Sequence, residues 1–225
     1  MTEAEAQAQL HILYEGNVST PGATTADYLA RRGLMNGGIA IWEKEAEWRE
    51  LFAKLADAAD GDTTTTDGTA DYDCPTDFEY PVGYLRIGTT KYPYYSVEKF
   101  QLISSSDSST KFFYVTGNKN AGFTVNIHPT PSSTGDTITY EYYKAATALS
   151  AITTVFEMSD PYFAIYFALS KLLEQDGKMA EAQKAFMESD SRLQRMKEKN
   201  FMVPFYQTNT IPDDAFTRGV GGFGK

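Results

Sequence analysis

The sequence is poor in the side chains that carry covalent and metal chemistry: its 225 residues hold one cysteine, Cys74, and two histidines, His11 and His128. One thiol closes no intrachain disulfide, and this Cys/His complement is too small for a conventional zinc site. Gly-x-Ser-x-Gly, His-Glu-x-x-His, a Walker loop and a dinucleotide fingerprint are all missing, so no motif supports an enzyme. Positive charge is scarce too. The 20 Lys and Arg against 30 Asp and Glu give a net charge of −10 and a pI near 4.7, which oppose binding of nucleic acid over the whole surface. No long charge-free apolar run occurs and no basic start leads into one, which predicts neither a membrane span nor a signal peptide. Synthesis in a reducing cytoplasm fits the single thiol.

What is present is a 42% hydrophobic chain with the composition of a soluble globular protein. Glu3 to Tyr14 fits a short helix, followed by a loop marked by Gly16, Asn17, Pro21 and Gly22. A longer helical pattern begins at an N-cap of Thr24 or Thr25 and places Tyr28, Met35, Ile39, Trp42 and Phe52 on one side. Gly33, Gly37 and Gly38 interrupt it, which predicts a break or a close helix contact, and the stretch reads as two helices or one kinked helix. In the acidic stretch that follows, Glu45 with Arg49 and Glu50 with Lys54 form i,i+4 pairs, so Glu43 to Glu50 reads as a solvated helix face.

Thr63 to Thr66, flanked by Gly61 and Gly68, offers no apolar side chain and reads as a flexible loop. Strands follow. Phe123, Val125 and Ile127 alternate with polar residues, as do Ile138, Tyr140 and Tyr142, and shorter candidates are Val82 to Ile87, Phe100 to Ile103 and Phe112 to Thr116. Short antiparallel strands of this kind make a small sandwich or barrel. Ser159 or Asp160 then caps a helix that opens at Pro161 and carries Phe163, Tyr166, Phe167 and Leu173. Gly177 ends it, and a second helix carries Met179, Ala182, Phe186, Leu193 and Met196, completing an αα-hairpin. The fold class is therefore α+β: an N-terminal helical part (1–60), a loop (61–71), an antiparallel β domain (72–148), a helical hairpin packing with the first helices (149–200), and an extended arm (201–225).

Tyr72-Asp73-Cys74-Pro75-Thr76-Asp77-Phe78 opens the strand region, Ile127-His128-Pro129-Thr130-Pro131 leads into Ile138-Thr139-Tyr140-Glu141-Tyr142-Tyr143, and Asp160-Pro161-Tyr162 begins the hairpin. That succession, over roughly Ala26 to Lys199, resembles the phage head-to-tail adaptors of the tail-tubular-protein-A type and the adaptors of gene transfer agents. The resemblance implies a structural virion protein of the neck, without cofactor or reaction. It implies a homo-oligomeric ring, typically a dodecamer, between the portal protein and a tail or nozzle protein, with DNA passing through the channel. In that setting Phe201, Phe205, Tyr206, Phe216, Arg218 and Phe223 form a docking arm, which Pro204, Pro212 and the glycines from Gly219 to Gly224 keep from closing into a helix. The bland alternative packs this arm back on its own domain. Arg192, Arg195 and Lys199 offer interface charge, or simply complement the dipole at a helix end.

Rival readings are a cell-wall hydrolase using two carboxylates, for which spacing selects no pair, and a recognition domain using Tyr92, Tyr94 and Tyr95. These tyrosines fit a core or ring interface better. Cys74 reads as a small buried side chain, and His128 as an exposed or interface residue on the strand face opposite Val125 and Ile127.

Overall fold

The computed structural model describes residues 1–16, 19–96, 99 and 109–202. The described elements run α1 (Glu3–Glu15), α2 (Ala26–Glu45), β1 (Phe52–Lys54), β2 (Asp71–Asp73), β3 (Phe78–Ile87), β4 (Thr90–Pro93), β5 (Phe112–Asn118), β6 (Gly122–His128), β7 (Ile138–Lys144), α3 (Tyr162–Gln175) and α4 (Met179–Met202). The α+β class is as the sequence predicts. The candidate strand from Phe100 to Ile103 lies outside the described residues.

Both early helices start at threonines whose hydroxyls accept from free backbone amides. Thr2 and Glu5 form a reciprocal capping box on α1, and Thr25 accepts from the Tyr28 amide on α2. Helix α1 then locks onto α2 through polar groups. The fully buried Glu3 accepts from Arg32 Nε at 2.7 Å, and Gln7 Nε2 donates to the Tyr28 carbonyl at 3.1 Å. A buried carboxylate of this kind requires its partner, because removing the cation strands a charge away from water.

Helix α2 runs unbroken through all three glycines, so the contact reading holds and the break does not. A Cβ on Gly38 would stand 3.2 Å from Ala164 Cα, and one on Gly37 would stand 3.5 Å from the Phe167 ring. The helix stops at Glu45, earlier than the sequence suggests. Ala46 turns extended, Trp48 stacks on Trp42 with ring centres 5.2 Å apart, and the Trp48 Nε1 donates to the Trp42 carbonyl at 2.5 Å. Phe52 therefore belongs to β1 rather than to the helical stripe, and the i,i+4 pairs predicted between Glu45 and Arg49 and between Glu50 and Lys54 have no helix to form on.

Two antiparallel sheets follow, one in the order β1-β7-β3-β4 and the other β2-β6-β5. Their facing sides share one core: Phe78, Leu85, Tyr92, Ile138, Tyr140 and Tyr142 from the first, Tyr72, Phe113, Val125 and Ile127 from the second. The Thr63 to Thr66 segment buries a polar group instead of an apolar one. Thr65 is 1% exposed, its hydroxyl donates to the Ser133 carbonyl, and its amide donates to the Asp136 carbonyl.

The chain then returns to the helices. Asn36 of α2 donates to the Leu149 carbonyl at 3.1 Å and accepts the Leu149 amide at 2.8 Å, holding the returning strand of chain against α2. Asp160 caps α3 by accepting from the Tyr162 amide, and Gly177, with φ of 75°, turns the chain into α4. A second core joins residues from both chain ends, among them Leu10, Met35, Trp42, Phe163, Ile165, Leu169, Leu193 and Met196. One correction concerns α4. Ala182, Ala185, Ser189, Leu193 and Met196 face the core, whereas Phe186 and Met179 are 51% and 62% exposed. Small residues let the first half of α4 lie close to α3, and Met179, Phe186 and Met187 point away.

The Gly38 contact makes a direct prediction. Gly38→Val should cost about 1–3 kcal/mol by overpacking, whereas Gly33→Ala, whose Cβ meets open space, should stabilise by about 0.5–1 kcal/mol through helix propensity. Denaturant unfolding of the full chain measures both.

Candidate functional site

The helices and the sandwich meet at a cleft of about 560 Å³. Four separate segments build it: Glu43 to Leu51 at the end of α2 and in the turn after it, Glu79 and Tyr80 on β3, Lys119 between β5 and β6, and Tyr143 and Lys144 on β7. Trp48, Leu51, Tyr80 and Tyr143 give it apolar walls, and the Tyr80 and Tyr143 rings lie 5.1 Å apart. Lys119, from the β5–β6 turn, crosses its mouth to bond Glu79 at 2.5 Å and to approach Glu43 at 4.0 Å. The Glu79 hydrogen bond raises the Lys119 ammonium above its ordinary range. Burial, with help from Glu47, pushes the Tyr80 hydroxyl up to about 12. At neutral pH the site thus holds an ammonium and a neutral phenol, neither suited to act as a base or nucleophile. The cleft offers apolar walls, a carboxylate rim and a bridging cation.

The root of the predicted arm lies beside this cleft. Near the end of α4, Asn200 accepts from the Arg49 amide and donates to the Glu47 carbonyl at 2.8 Å, and Lys197 pairs with Glu45. Phe201 follows immediately and is 78% exposed. Of the other arm residues, Phe205, Tyr206, Phe216, Arg218 and Phe223 lie outside the described residues.

The three basic positions on α4 separate. Arg192 turns inward. Its Nη1 donates to Asp160 Oδ2 at 3.0 Å, its Nε lies 2.9 Å from Glu188, and its guanidinium covers the Tyr162 and Tyr166 rings at 5.2 and 5.1 Å. Burial works against its charge, yet Asp160 and Glu188 raise its pKa above the usual value. It therefore braces the helix cap and the hairpin together. Arg195 and Lys199 remain on the exposed surface.

The remaining reactive candidates pack. His128 lies 4.8 Å from the Phe112 ring, and Cys74 is buried in the sandwich core. Tyr92 fills the same core, Tyr95 stacks on Phe112, and Tyr94 is 46% exposed against Phe113. Among the described residues, no group of three or more His, Cys, Asp and Glu side chains is placed to hold a metal ion, and no helix is long and apolar enough to cross a membrane.

Sequence reading missed the cleft because Trp48, Tyr80, Lys119 and Tyr143 lie in separate segments that only the fold joins. The one early signal was the two tryptophans around the acidic run, an apolar content unlike a solvated face.

Burial raises the Cys74 thiol from 9.0 to about 11. Because the folded pKa exceeds the unfolded one, this group's contribution is complete below pH 9 and declines as pH rises through about 11. Native protein should resist a thiol reagent at neutral pH and react with one equivalent after unfolding, and Cys74→Ser should flatten the alkaline fall in stability.

A family model described as SU10 adaptor protein matches residues 22–208. No curated protein matches the chain. The matched span takes in α2, both sheets, the hairpin and the root of the arm, and on that ground the chain belongs to the SU10 adaptor protein family.

Proposed function

We propose that this chain is a structural head-to-tail adaptor of a phage virion, forming a ring beneath the portal protein and carrying the tail or nozzle protein on its other side. The match to the adaptor family across residues 22–208 carries this reading. A dodecamer is the expected ring, with the genome passing through its channel. Net charge of −10 suits a conduit that must not grip phosphate, although a screening length of roughly 8 Å limits repulsion to short range.

The arm from Phe201 to Lys225 is the docking segment for the portal or an adjacent copy. Its root is fixed by Asn200 and Lys197, its first aromatic stands in solvent, and Phe205, Tyr206, Phe216 and Phe223 supply large anchors. An arm that orders on binding gives up conformational entropy, and simultaneous engagement of many arms around a ring offsets it.

Quantitative mass spectrometry of purified particles tests the assignment. One copy of this chain per portal subunit is expected. Absence from particles, or a ratio matching the major capsid or tail-tube subunit, would falsify it. Deleting the arm after Asn200 should leave the unfolding midpoint unchanged while abolishing incorporation into particles. A lowered midpoint would show instead that the arm packs on its own domain.

A further inference from the structure

The two outer faces of the sandwich carry opposite charge. In β2, Tyr72 fills the core, which places its neighbours Asp71 and Asp73 on the outer face of the second sheet, both exposed. Asp71 shares a row with Asn126 and Tyr114 across the sheet, and after burial it is the cause that raises the Tyr114 hydroxyl. Exposed Asp62 lies beside them and accepts from the Asp73 amide at 2.8 Å, and residues 55 to 85 contain no Lys or Arg.

On the first sheet the outer face divides in two. Phe52, Val82 and Tyr143 pack against the helical core. Beyond them the face opens into a concavity of about 600 Å³ lined by Lys54, Tyr84, Arg86, Lys91, Thr139 and Glu141. Arg86 on β3 stands directly across from Lys91 on β4, and Lys54 directly across from Glu141. Lys91 Nζ lies 5.7 Å from the centre of the Tyr84 ring. Like charges directly opposed in a sheet destabilise it unless an anion compensates them. Among the described residues, none of Lys54, Arg86, Lys91, Asp71 and Asp73 forms an ion pair within 4.0 Å.

Sheets packed face to face point their outer sides in opposite directions. A second copy therefore offers an acidic face where the first offers a basic one. Spacing agrees as well: Asp71 and Asp73, two residues apart on one strand, stand roughly 7 Å apart, and cations on adjacent strands roughly 5 Å, so two pairs form together. A contact between unlike patches repeats from copy to copy and closes into a ring when the rotation allows. We propose that the Lys54, Arg86 and Lys91 face of one chain docks the Asp71 and Asp73 face of a second copy. This rests on the ring reading above and supplies the contact between neighbours. Glu141 within the basic concavity and the acidic charge of the whole chain favour a protein copy over a polyphosphate.

Carbodiimide coupling, which joins a lysine amine to a carboxylate in direct contact, tests the contact on full chains mixed in light and heavy isotope, with and without purified portal. Mixed-isotope peptides linking Lys54 or Lys91 to Asp71 or Asp73 are expected, reduced at least tenfold by Arg86→Glu and by high salt. The Lys54→Glu/Arg86→Glu/Lys91→Glu and Asp71→Lys/Asp73→Lys variants should each fail to couple alone and recover when mixed. One-to-one rings on the portal that lack these links and tolerate both variants overturn the contact and leave the ring standing. Links without a ring on the portal keep the contact and overturn the ring. Neither links nor ring overturns both, and duplex DNA bound by the wild type and released by Arg86→Glu, without links, also overturns the contact.

Discussion

The close passage of α2 over α3 is the constraint on which the rest of the structure depends. Gly38 and Ala164 meet where neither helix has a side chain longer than a methyl group, and a Cβ on Gly38 would crowd the Ala164 Cα at 3.2 Å. These helices come from opposite ends of the chain, with both sheets inserted between them in sequence. Their contact therefore closes a long loop, an ordering cost that local helix propensity cannot offset and that buried area must supply. Met35, Ile39 and Trp42 supply it from one side, Phe163, Ile165 and Leu169 from the other. Asn36, which bonds both backbone groups of Leu149, fixes where the returning chain re-enters.

That closure also sets how the sandwich sits. The Trp42–Trp48 stack ends α2 and aims the chain into β1, while Lys144 on β7 pairs with Glu157 at 2.5 Å before α3 begins. Both connections leave the sandwich from neighbouring strands, since β1 pairs with β7 in register Phe52 to Tyr143. The outer face of one sheet is consequently half covered by the helices and half open. Its covered half holds Phe52, Val82 and Tyr143, and its open half holds the cations. The charge asymmetry follows from the fold: only residues beyond the reach of the helices can remain charged without desolvation cost.

Elements with their own local signals were legible in the sequence. The hairpin was, because Asp160, Pro161 and Gly177 mark its ends chemically, and β6 and β7 were, because alternation persists across a full strand. Strands β1, β2 and β4, of three or four residues, are too short for any period to register, so Phe52 was assigned to the preceding helical pattern. Phe186 shows a different limit. Spacing identifies an apolar residue but not which face of a helix finds a partner, and here the tight α3–α4 contact selects Ala182 and Ala185. The cleft stayed hidden because its residues converge from four segments. Arg86 and Lys91 likewise come to face each other only because the turn at Gly88 folds the short β4 back onto β3. Their charges are masked in a chain whose net balance is acidic.

Net charge is in that sense a poor guide to where such a protein binds. A value of −10 keeps copies apart at long range in low salt, yet exposed ion pairs act within a few ångströms, where the local arrangement decides the sign. One exposed pair contributes about 0.2–1 kcal/mol, too little to hold two copies together. Repetition around a closed ring changes the outcome, since each further contact forms at high effective concentration. Weak faces then favour assembly only where a template collects the copies, and leave the chain dispersed elsewhere. In the proposed ring, opposed weak faces of this kind would confine assembly to the template without any conformational switch.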